Sequence, residues 1–224
     1  MMSNDYHDYV IKDGKLVGKF EEMYQNCDDP WDRAKLSGNS QTDWLLHRAC
    51  SVIVAESDVC RAIDLGCGIG QSVRAITPIA DLVAGIDISK TAIAQASEAL
   101  PNHTFAVGDL RTFMVGADDC GKIDLDEFNT LILCHLTWYI LDDLAEFRAW
   151  LAENWAGRYL VHVLAVYAPG VQRHGTDMFT DHAGILHWFA CDYLEHGQMT
   201  QTVDGRDLEL SYFLARVPGG GEIK

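Results

Sequence analysis

Short apolar runs alternate with longer stretches of mixed apolar and polar residues through most of the chain. The first run, at residues 60–65, is followed by a segment of helical composition at residues 69–77. A second run covers residues 81–87, and Ser89 is placed to cap a helix that continues to Leu100, immediately before a proline. This order predicts two strand–helix units in succession.

The alternation continues beyond these units. Residues 103–107 predict a third short strand, residues 128–134 a fourth and residues 158–167 a fifth, with a helix at residues 141–155 between the last two. The fourth run is almost entirely apolar, which is typical of a parallel strand covered on both faces. The pattern therefore predicts a mostly parallel sheet with helices between its strands.

The end of the chain has a different pattern. Two strand-like runs, at residues 199–203 and 207–217, flank Asp204-Gly205, a pair that favours a hairpin turn. The hairpin closes an open sheet whose ligands should lie beyond the carboxyl ends of its strands. Residues 168–198, rich in glycine, histidine and aspartate, form a predicted insertion that contributes to the pocket for such a ligand.

Composition limits the possible partners. The 224 residues are 48% apolar, which fits one globular α/β domain over residues 1–224. A net charge of −16 would repel phosphate backbones and anionic lipid surfaces, so we expect a small-molecule partner and neither nucleic acid nor membrane. Residues 1–10 lack the features of a secretory signal and no apolar run could span a bilayer, so a cytoplasmic protein is expected. Seven irregularly spaced cysteines, without metal-ligand spacing, predict reduced thiols and no metal site.

Three alternate glycines follow the first predicted strand: Gly66, Gly68 and Gly70. Glycine permits a tight turn and lets a ligand approach the backbone closely. A dinucleotide fingerprint would have the spacing G-x-G-x-x-G, whereas this run is G-x-G-x-G with Asp64 just before it. That carboxylate would repel a pyrophosphate but could accept hydrogen bonds from an ammonium group, which favours a ligand with a cationic amino-acid tail.

Acidic residues also end the second and third predicted strands. Asp87 is placed to accept hydrogen bonds from both hydroxyls of a ribose, a contact that would suit NAD as well. Asp109 could accept a hydrogen bond from the exocyclic amine of adenine, while Leu110 or Ile88 packs against the ring. Together with the glycine spacing, these positions predict a nucleoside-binding site.

The motifs IDLGCGIG, GIDIS and VGDL stand in the order and spacing of the class I S-adenosylmethionine-dependent methyltransferases, and the resemblance covers residues 40–166. It implies a Rossmann-like, seven-stranded, mostly parallel sheet with an antiparallel last strand, helices on both faces, and S-adenosyl-L-methionine as cofactor. The residues that match the family's cofactor contacts are Asp64, Gly66, Gly68, Asp87, Ile88, Asp109 and Leu110. Cys67 and Cys134, at predicted strand ends, and Trp31 are expected beside the cofactor too.

The N-terminal segment loosely resembles the nodulation-type methyltransferases that act on sugar oligomers. The similarity lies in residues 20–24 (FEEMY) and 29–31 (DPW), and in residues 138–140 (WYI) after the fourth strand. Residues 1–45 are expected to form a helical lid segment. This chain has His135 where that subgroup commonly carries an acidic residue, which leaves both hydroxyl and amine acceptors open.

Methyl transfer to a hydroxyl or ammonium group requires removal of a proton, so a base is expected at the end of the fourth strand. His135 is the candidate general base, although a histidine held by backbone hydrogen bonds at a strand end would give the same pattern. The predicted substrate-pocket residues are Tyr24, Trp138, Tyr139, His174 and His182. The aromatic members could equally be core residues.

These features predict methyl transfer to a hydroxyl or amine of a small molecule, such as a saccharide or a natural-product intermediate. Two alternatives stay open at this point. One is a catalytically silent subunit that only binds the cofactor. The other is a nicotinamide-dependent oxidoreductase, favoured by Asp87 but opposed by the glycine spacing and by Asp64.

Overall fold

The computed structural model describes residues 8–27, 30–31, 40–167, 174–203 and 206–219. The strands are β1 Ile11–Lys12, β2 Lys15–Leu16, β3 Arg61–Leu65, β4 Leu82–Asp87, β5 Thr104–Val107, β6 Thr130–Cys134, β7 Tyr159–Val166, β8 Asp192–Val203 and β9 Arg206–Arg216. The helices are α1 Phe20–Asn26, α2 Gln41–Ser57, α3 Gln71–Ile76, α4 Lys90–Ala99, α5 Leu110–Met114, α6 Leu144–Asn154 and α7 His182–Phe189. Short 3₁₀ helices lie at Asp118–Lys122, Leu125–Glu127, Thr137–Tyr139 and Leu141–Asp143.

Seven of the strands form one sheet in the order β5-β4-β3-β6-β7-β9-β8. The five strands from β5 to β7 are parallel to their neighbours, and β9 runs antiparallel to both β7 and β8. The predicted seven-stranded, mostly parallel sheet with an antiparallel last strand is therefore confirmed. Strands β1 and β2 form a separate small antiparallel pair.

Alternation within β3 explains why helices cover both faces of the sheet. Successive side chains of a strand point to opposite faces. Ile63 belongs to one apolar cluster, which Phe147 of α6 completes. Its neighbour Ala62 belongs to the other cluster, which contains Leu46 of α2. All four residues are fully buried, so both faces of the central strand are excluded from water.

The site is positioned by the point where strand order reverses. Strand β4 follows β3 in sequence and pairs with one of its edges, whereas β6 pairs with the other edge. Crevices at such a reversal, beyond the carboxyl ends of parallel strands, are where open α/β sheets bind ligands. No helix in the described ranges is long and apolar enough to cross a membrane.

The last hairpin differs from its predicted bounds. Strand β8 begins at Asp192 rather than at Met199, because helix α7 ends at Phe189 and Ala190 adopts a left-handed conformation, with φ 49°, that redirects the chain. The predicted insertion therefore ends inside a strand. The Asp204-Gly205 turn lies outside the described residues, although the two strands that flank it pair as predicted.

Candidate cofactor and acceptor site

The turn after β3 brings the backbone to the edge of a cavity. The amides of Gly66 and Cys67 both donate to the carbonyl of Ile86, at 2.8 and 2.9 Å, so the turn folds back over β4. Gly68 has φ +54°, and a Cβ atom there would lie 2.6 Å from the hydroxyl oxygen of Tyr24. Only glycine fits a position with both a left-handed backbone and so close a neighbour.

Asp87 is held at the end of β4 by two backbone amides. Its Oδ2 accepts a hydrogen bond from the amide of Gly68 and its Oδ1 accepts one from the amide of Ser89, both at 2.9 Å. The residue is only 8% exposed, and this burial raises the pKa of its carboxyl group although both hydrogen bonds favour the charged form. The carboxylate thus has a fixed orientation beside the glycine turn.

The neighbouring strand ends supply one apolar and one acidic surface. Ile88 is 52% exposed, which is unusual for isoleucine, and its side chain borders the cavity. Asp109 caps helix α5 by accepting a 2.8 Å hydrogen bond from the amide of Thr112, and this bond lowers the pKa of the Asp109 carboxyl group. Leu110 is buried next to it.

A cavity of about 510 Å³ lies beyond the carboxyl ends of the strands. Most of the predicted site residues line its wall. They are Tyr24, Trp31, Gly66, Cys67, Gly68, Asp87, Ile88, Asp109, Leu110, Cys134, His135, Trp138 and Tyr139. The structure therefore brings together residues that the sequence spreads over more than half of its length.

Three predicted site residues lie outside the cavity wall. Asp64 lies within β3 and is only 1% exposed. Its contact with an ammonium group of the cofactor stays a prediction. His174 donates from Nε2 to the backbone carbonyl of Trp138, at 3.0 Å. His182 contacts the hydroxyl of Ser211 at 2.8 Å. The sequence prediction placed these two histidines in the pocket because they follow β7, but the structure directs one to the backbone and the other to β9.

The N-terminal segment forms one side of the cavity. The hydroxyl of Tyr24 accepts a 3.0 Å hydrogen bond from Nε1 of Trp31. Burial and the nearby Asp87 carboxylate raise the pKa of Tyr24, so it stays a neutral phenol. The ring of Tyr139 lies 5.3 Å from that of Phe20 and 5.9 Å from that of Trp31, measured between centroids. These contacts join the N-terminal segment to the loop after β6.

Glu21 is not among the described wall residues, but it holds the start of helix α4 next to the site, a contact that the sequence prediction missed. Its carboxylate accepts hydrogen bonds from the hydroxyls of Ser89 and Thr91, at 2.7 and 2.8 Å, and a longer one from the amide of Thr91. The bond from Ser89 is the largest of the influences that lower the pKa of Glu21 to about 2. The capping role of Ser89 is visible in the sequence, but no local spacing indicates a partner 68 positions away.

His135 follows β6 in a left-handed conformation, with φ 58°. Its amide donates to the carbonyl of Val163 at 2.8 Å, which holds the strained backbone in place. Its Nε2 lies 3.1 Å from the hydroxyl oxygen of Thr42, a buried residue of α2 that lines the cavity and that sequence reasoning also missed. In the described part of the chain, no group of three histidine, cysteine or acidic side chains is arranged to hold a metal ion.

Residues 62–154 match a family model described as a methyltransferase domain. No curated protein sequence matches the chain. The solved structure of the N-methyltransferase NodS from Bradyrhizobium japonicum WM9, in complex with S-adenosyl-L-homocysteine, is 16% identical over 84% of this chain and 92% of that chain, with a TM-score of 0.58. Magnesium protoporphyrin IX methyltransferase from Synechocystis PCC 6803, with bound SAM, is 15% identical over 96% and 98%, with a TM-score of 0.54. The bifunctional kinase-methyltransferase WbdD is 18% identical with a TM-score of 0.61, and the match covers 84% of this chain but 42% of that one.

The structural similarities show a shared fold, and the match to a methyltransferase domain is confined to residues 62–154. The matched segment contains the glycine turn, Asp87, Asp109 and His135, which are the residues that surround the cavity at the strand ends. Residues 62–154 therefore match a methyltransferase domain, and the chain has the fold of the methyltransferases named above.

Proposed function

We propose that this protein transfers a methyl group from S-adenosyl-L-methionine to a hydroxyl or amine of a small molecule, a saccharide or a natural-product intermediate. The observation that carries the proposal is that the fixed carboxylate of Asp87 and the imidazole of His135 border the same cavity. When bound, the cofactor supplies a methyl group activated by a sulfonium centre.

The residues of the turn and strand ends fit this cofactor. The missing side chain at Gly68 leaves the backbone open to a close ligand. Each carboxylate oxygen of Asp87 accepts one amide hydrogen bond and keeps a further lone pair for a ribose hydroxyl. The exposed side chain of Ile88 offers an apolar surface for adenine, and Asp109 can accept a hydrogen bond from its amine. Carboxylates on this wall also favour a cationic ligand over a pyrophosphate.

His135 is the group that accepts the proton of the methyl acceptor. A neutral imidazole can take a proton near neutral pH, and the contact with Thr42 fixes the orientation of the ring. The left-handed backbone conformation of His135 costs free energy, which the surrounding contacts must offset. Strained conformations of this kind are concentrated at functional sites. Transfer then requires the acceptor atom to lie between this ring and the methyl group.

Two further segments complete the proposed site within a single domain over residues 1–224. Residues 1–45 act as a lid, since Phe20 and Tyr24 of α1 lie in the cavity wall. Residues 168–198 contribute to the acceptor pocket by supporting Trp138, whose backbone carbonyl accepts the hydrogen bond from His174.

Calorimetry and a labelled-methyl screen test the proposal. The protein should bind S-adenosylmethionine and S-adenosylhomocysteine more tightly than NAD, and Asp87→Ala should weaken binding by roughly ten- to a hundredfold, because a charged acceptor is lost. Stronger binding of NAD, or unchanged affinity in a folded Asp87→Ala variant, would contradict the cofactor assignment. Cofactor binding without transfer to any hydroxyl or amine acceptor would indicate a silent cofactor-binding subunit instead.

A further inference from the structure

Strand β7 holds the loop after β6 through its backbone. The carbonyl of Val163 accepts a 2.8 Å hydrogen bond from the amide of His135. Further along β7, the carbonyl of Ala165 accepts another 2.8 Å hydrogen bond, from Nε1 of Trp138. Because both acceptors are main-chain carbonyls, neither bond depends directly on the side chains that β7 carries.

One side chain of β7 also holds this loop. Nε2 of His162 lies 2.8 Å from the hydroxyl oxygen of Thr137, and both residues are fully buried. Thr137 follows His135 closely and begins the 3₁₀ helix Thr137–Tyr139, in which the next residue is Trp138. A change in the position of Thr137 would therefore move both the candidate base and a residue of the cavity wall.

The other surroundings of His162 are aromatic. Its ring stacks on that of Phe213, with 4.8 Å between centroids and 10° between planes, and lies 5.0 Å from the ring of Phe189. Burial, and then the nearby His135 and His182, lower the pKa of His162 to about 3. Its imidazole is therefore uncharged throughout the neutral pH range, and its hydrogen bond is made by the neutral ring.

This environment makes a histidine costly. Nδ1 of His162 has no hydrogen-bond partner among the described residues. A polar atom buried without a partner loses its hydration, whereas a leucine or phenylalanine would fill apolar surroundings without that cost. The described contact that offsets the cost is the one between Nε2 and Thr137. Packing alone thus does not account for a histidine at this position, whereas the hydrogen bond to the loop does.

We propose that His162 is a positioning residue for methyl transfer, which fixes the loop that carries His135 and Trp138 through its hydrogen bond to Thr137. This inference rests on the proposed function for the role of His135. It extends that function beyond the cavity, since neither His162 nor Thr137 is among the described residues of the wall. A small displacement of the base lowers the rate of transfer steeply, because the acceptor atom must lie close to both the base and the methyl group.

Imidazole NMR signals of the protein labelled with isotopic histidine and saturated with S-adenosylhomocysteine test this proposal. The signal of His135 is identified by its loss in His135→Gln. Thr137→Val removes the hydroxyl at nearly constant size and should move the His135 signal from its wild-type position. His162→Phe removes the other partner, so Thr137→Val should have no further effect in that background. His162→Gln places an amide near the position of Nε2 and should keep the signal closer to the wild type than His162→Phe does.

Thr77→Val is the matched control for loss of a contact between threonine and histidine. Thr77 lies 3.1 Å from Nε2 of His103 and is not among the described residues of the wall. This variant should move the signal of His103 and leave that of His135 in place. An unmoved His135 signal in Thr137→Val, or an effect of Thr137→Val that persists in the His162→Phe background, would overturn the proposal.

The rate of methyl transfer is a second measurement, with an acceptor supplied by the labelled-methyl screen. Thr137→Val should lower kcat by roughly tenfold and leave the affinity for S-adenosylhomocysteine within about twofold of the wild type. An unchanged kcat, or an equal loss of cofactor affinity, would contradict a positioning role. The NMR test needs no acceptor and does not depend on which residue is the base. Unchanged transfer in His135→Gln would therefore reject the base assignment alone, and the His135 signal would still decide whether His162 fixes the loop.

Discussion

The hydroxyl of Ser89 donates a 2.7 Å hydrogen bond to the carboxylate of Glu21, and the amide of the same serine donates to Asp87. Ser89 therefore lies between the N-terminal helix and the carboxylate assigned to the ribose. It also caps helix α4 by accepting from the amide of Ala92. Because one fully buried residue makes all three contacts, docking of helix α1 and the orientation of Asp87 depend on each other.

Glu21→Gln should weaken binding of S-adenosylhomocysteine by roughly five- to tenfold, because an uncharged amide cannot accept all the hydrogen bonds of the carboxylate. The same change should speed proteolysis within α1. Glu22→Gln is the control, since Glu22 is exposed and its side chain pairs with Lys19 alone among the described contacts. Calorimetry and limited proteolysis measure the two effects. Equal affinities in the two variants would show that the contact does not influence the cofactor site.

The same carboxylate predicts a pH dependence of stability. The pKa of Glu21 falls from an ordinary value of 4.5 to about 2 in the folded protein. A group whose pKa is lowered on folding stabilises the fold fully above its unfolded pKa, and this contribution is lost as the pH falls through its folded pKa. The difference in free energy of unfolding between the wild type and Glu21→Gln should thus be constant above about pH 5 and shrink towards pH 2. Urea titrations near pH 6 and pH 3.5 check this, and a difference that grows on acidification would contradict it.

Gly68→Ala tests the close approach of Tyr24 to the glycine turn. Its Cβ would lie 2.6 Å from the Tyr24 hydroxyl, whereas a Cβ at Gly116, which has a similar φ of +60°, would meet nothing within 4 Å. Both substitutions incur the backbone cost of a left-handed alanine, about 1 kcal/mol. Gly68→Ala should lower the affinity for S-adenosylhomocysteine by about tenfold or more as well, and Gly116→Ala should leave it unchanged. Equal affinities of the Gly68→Ala and Gly116→Ala variants for S-adenosylhomocysteine would mean that the glycine turn does not approach the ligand.

His135→Gln should lower the rate of methyl transfer by roughly a hundredfold while leaving cofactor affinity nearly intact, as expected for a general base. The acid limb of the wild-type rate profile should follow a histidine-like ionisation, since only the neutral imidazole accepts a proton. Single-turnover kinetics with a labelled methyl donor would measure the rate of transfer and its pH profile. A near-wild-type rate in the variant would exclude His135 as the base.

The contact between Thr42 and His135 gives a finer test of that assignment. Thr42→Val removes the hydroxyl at nearly constant size and should reduce the rate by about tenfold and move the acid limb of the profile. Thr42→Ser keeps the hydroxyl and should retain the wild-type rate and the wild-type pH profile. A loss of stability without a change in the pH profile of Thr42→Val would assign the threonine to packing alone.

Features set by neighbouring residues were predictable from the sequence. The glycine turn, the cap at Ser89 and the cores of the parallel strands depend on local backbone preference and on alternation within a strand, and the structure has them where predicted. The contacts of Glu21 and Thr42 were not predictable, because their partners lie 68 and 93 positions away. His182 was predicted in the pocket from its position in the chain, whereas its observed contact with Ser211 depends on the direction of α7, which the sequence does not indicate.

We expect sequence separation to influence the order in which the contacts of the site form during folding. Gly68 and Asp87 are 19 positions apart, so the turn and its carboxylate can form within one strand–helix–strand unit. Glu21 can dock only after Ser89 has taken its place at the start of α4. We therefore expect the N-terminal helix to join late in folding and to detach first in native-state fluctuations. A ligand enclosed by that helix would then enter and leave through a partial unfolding of the chain's first segment while the sheet stays intact.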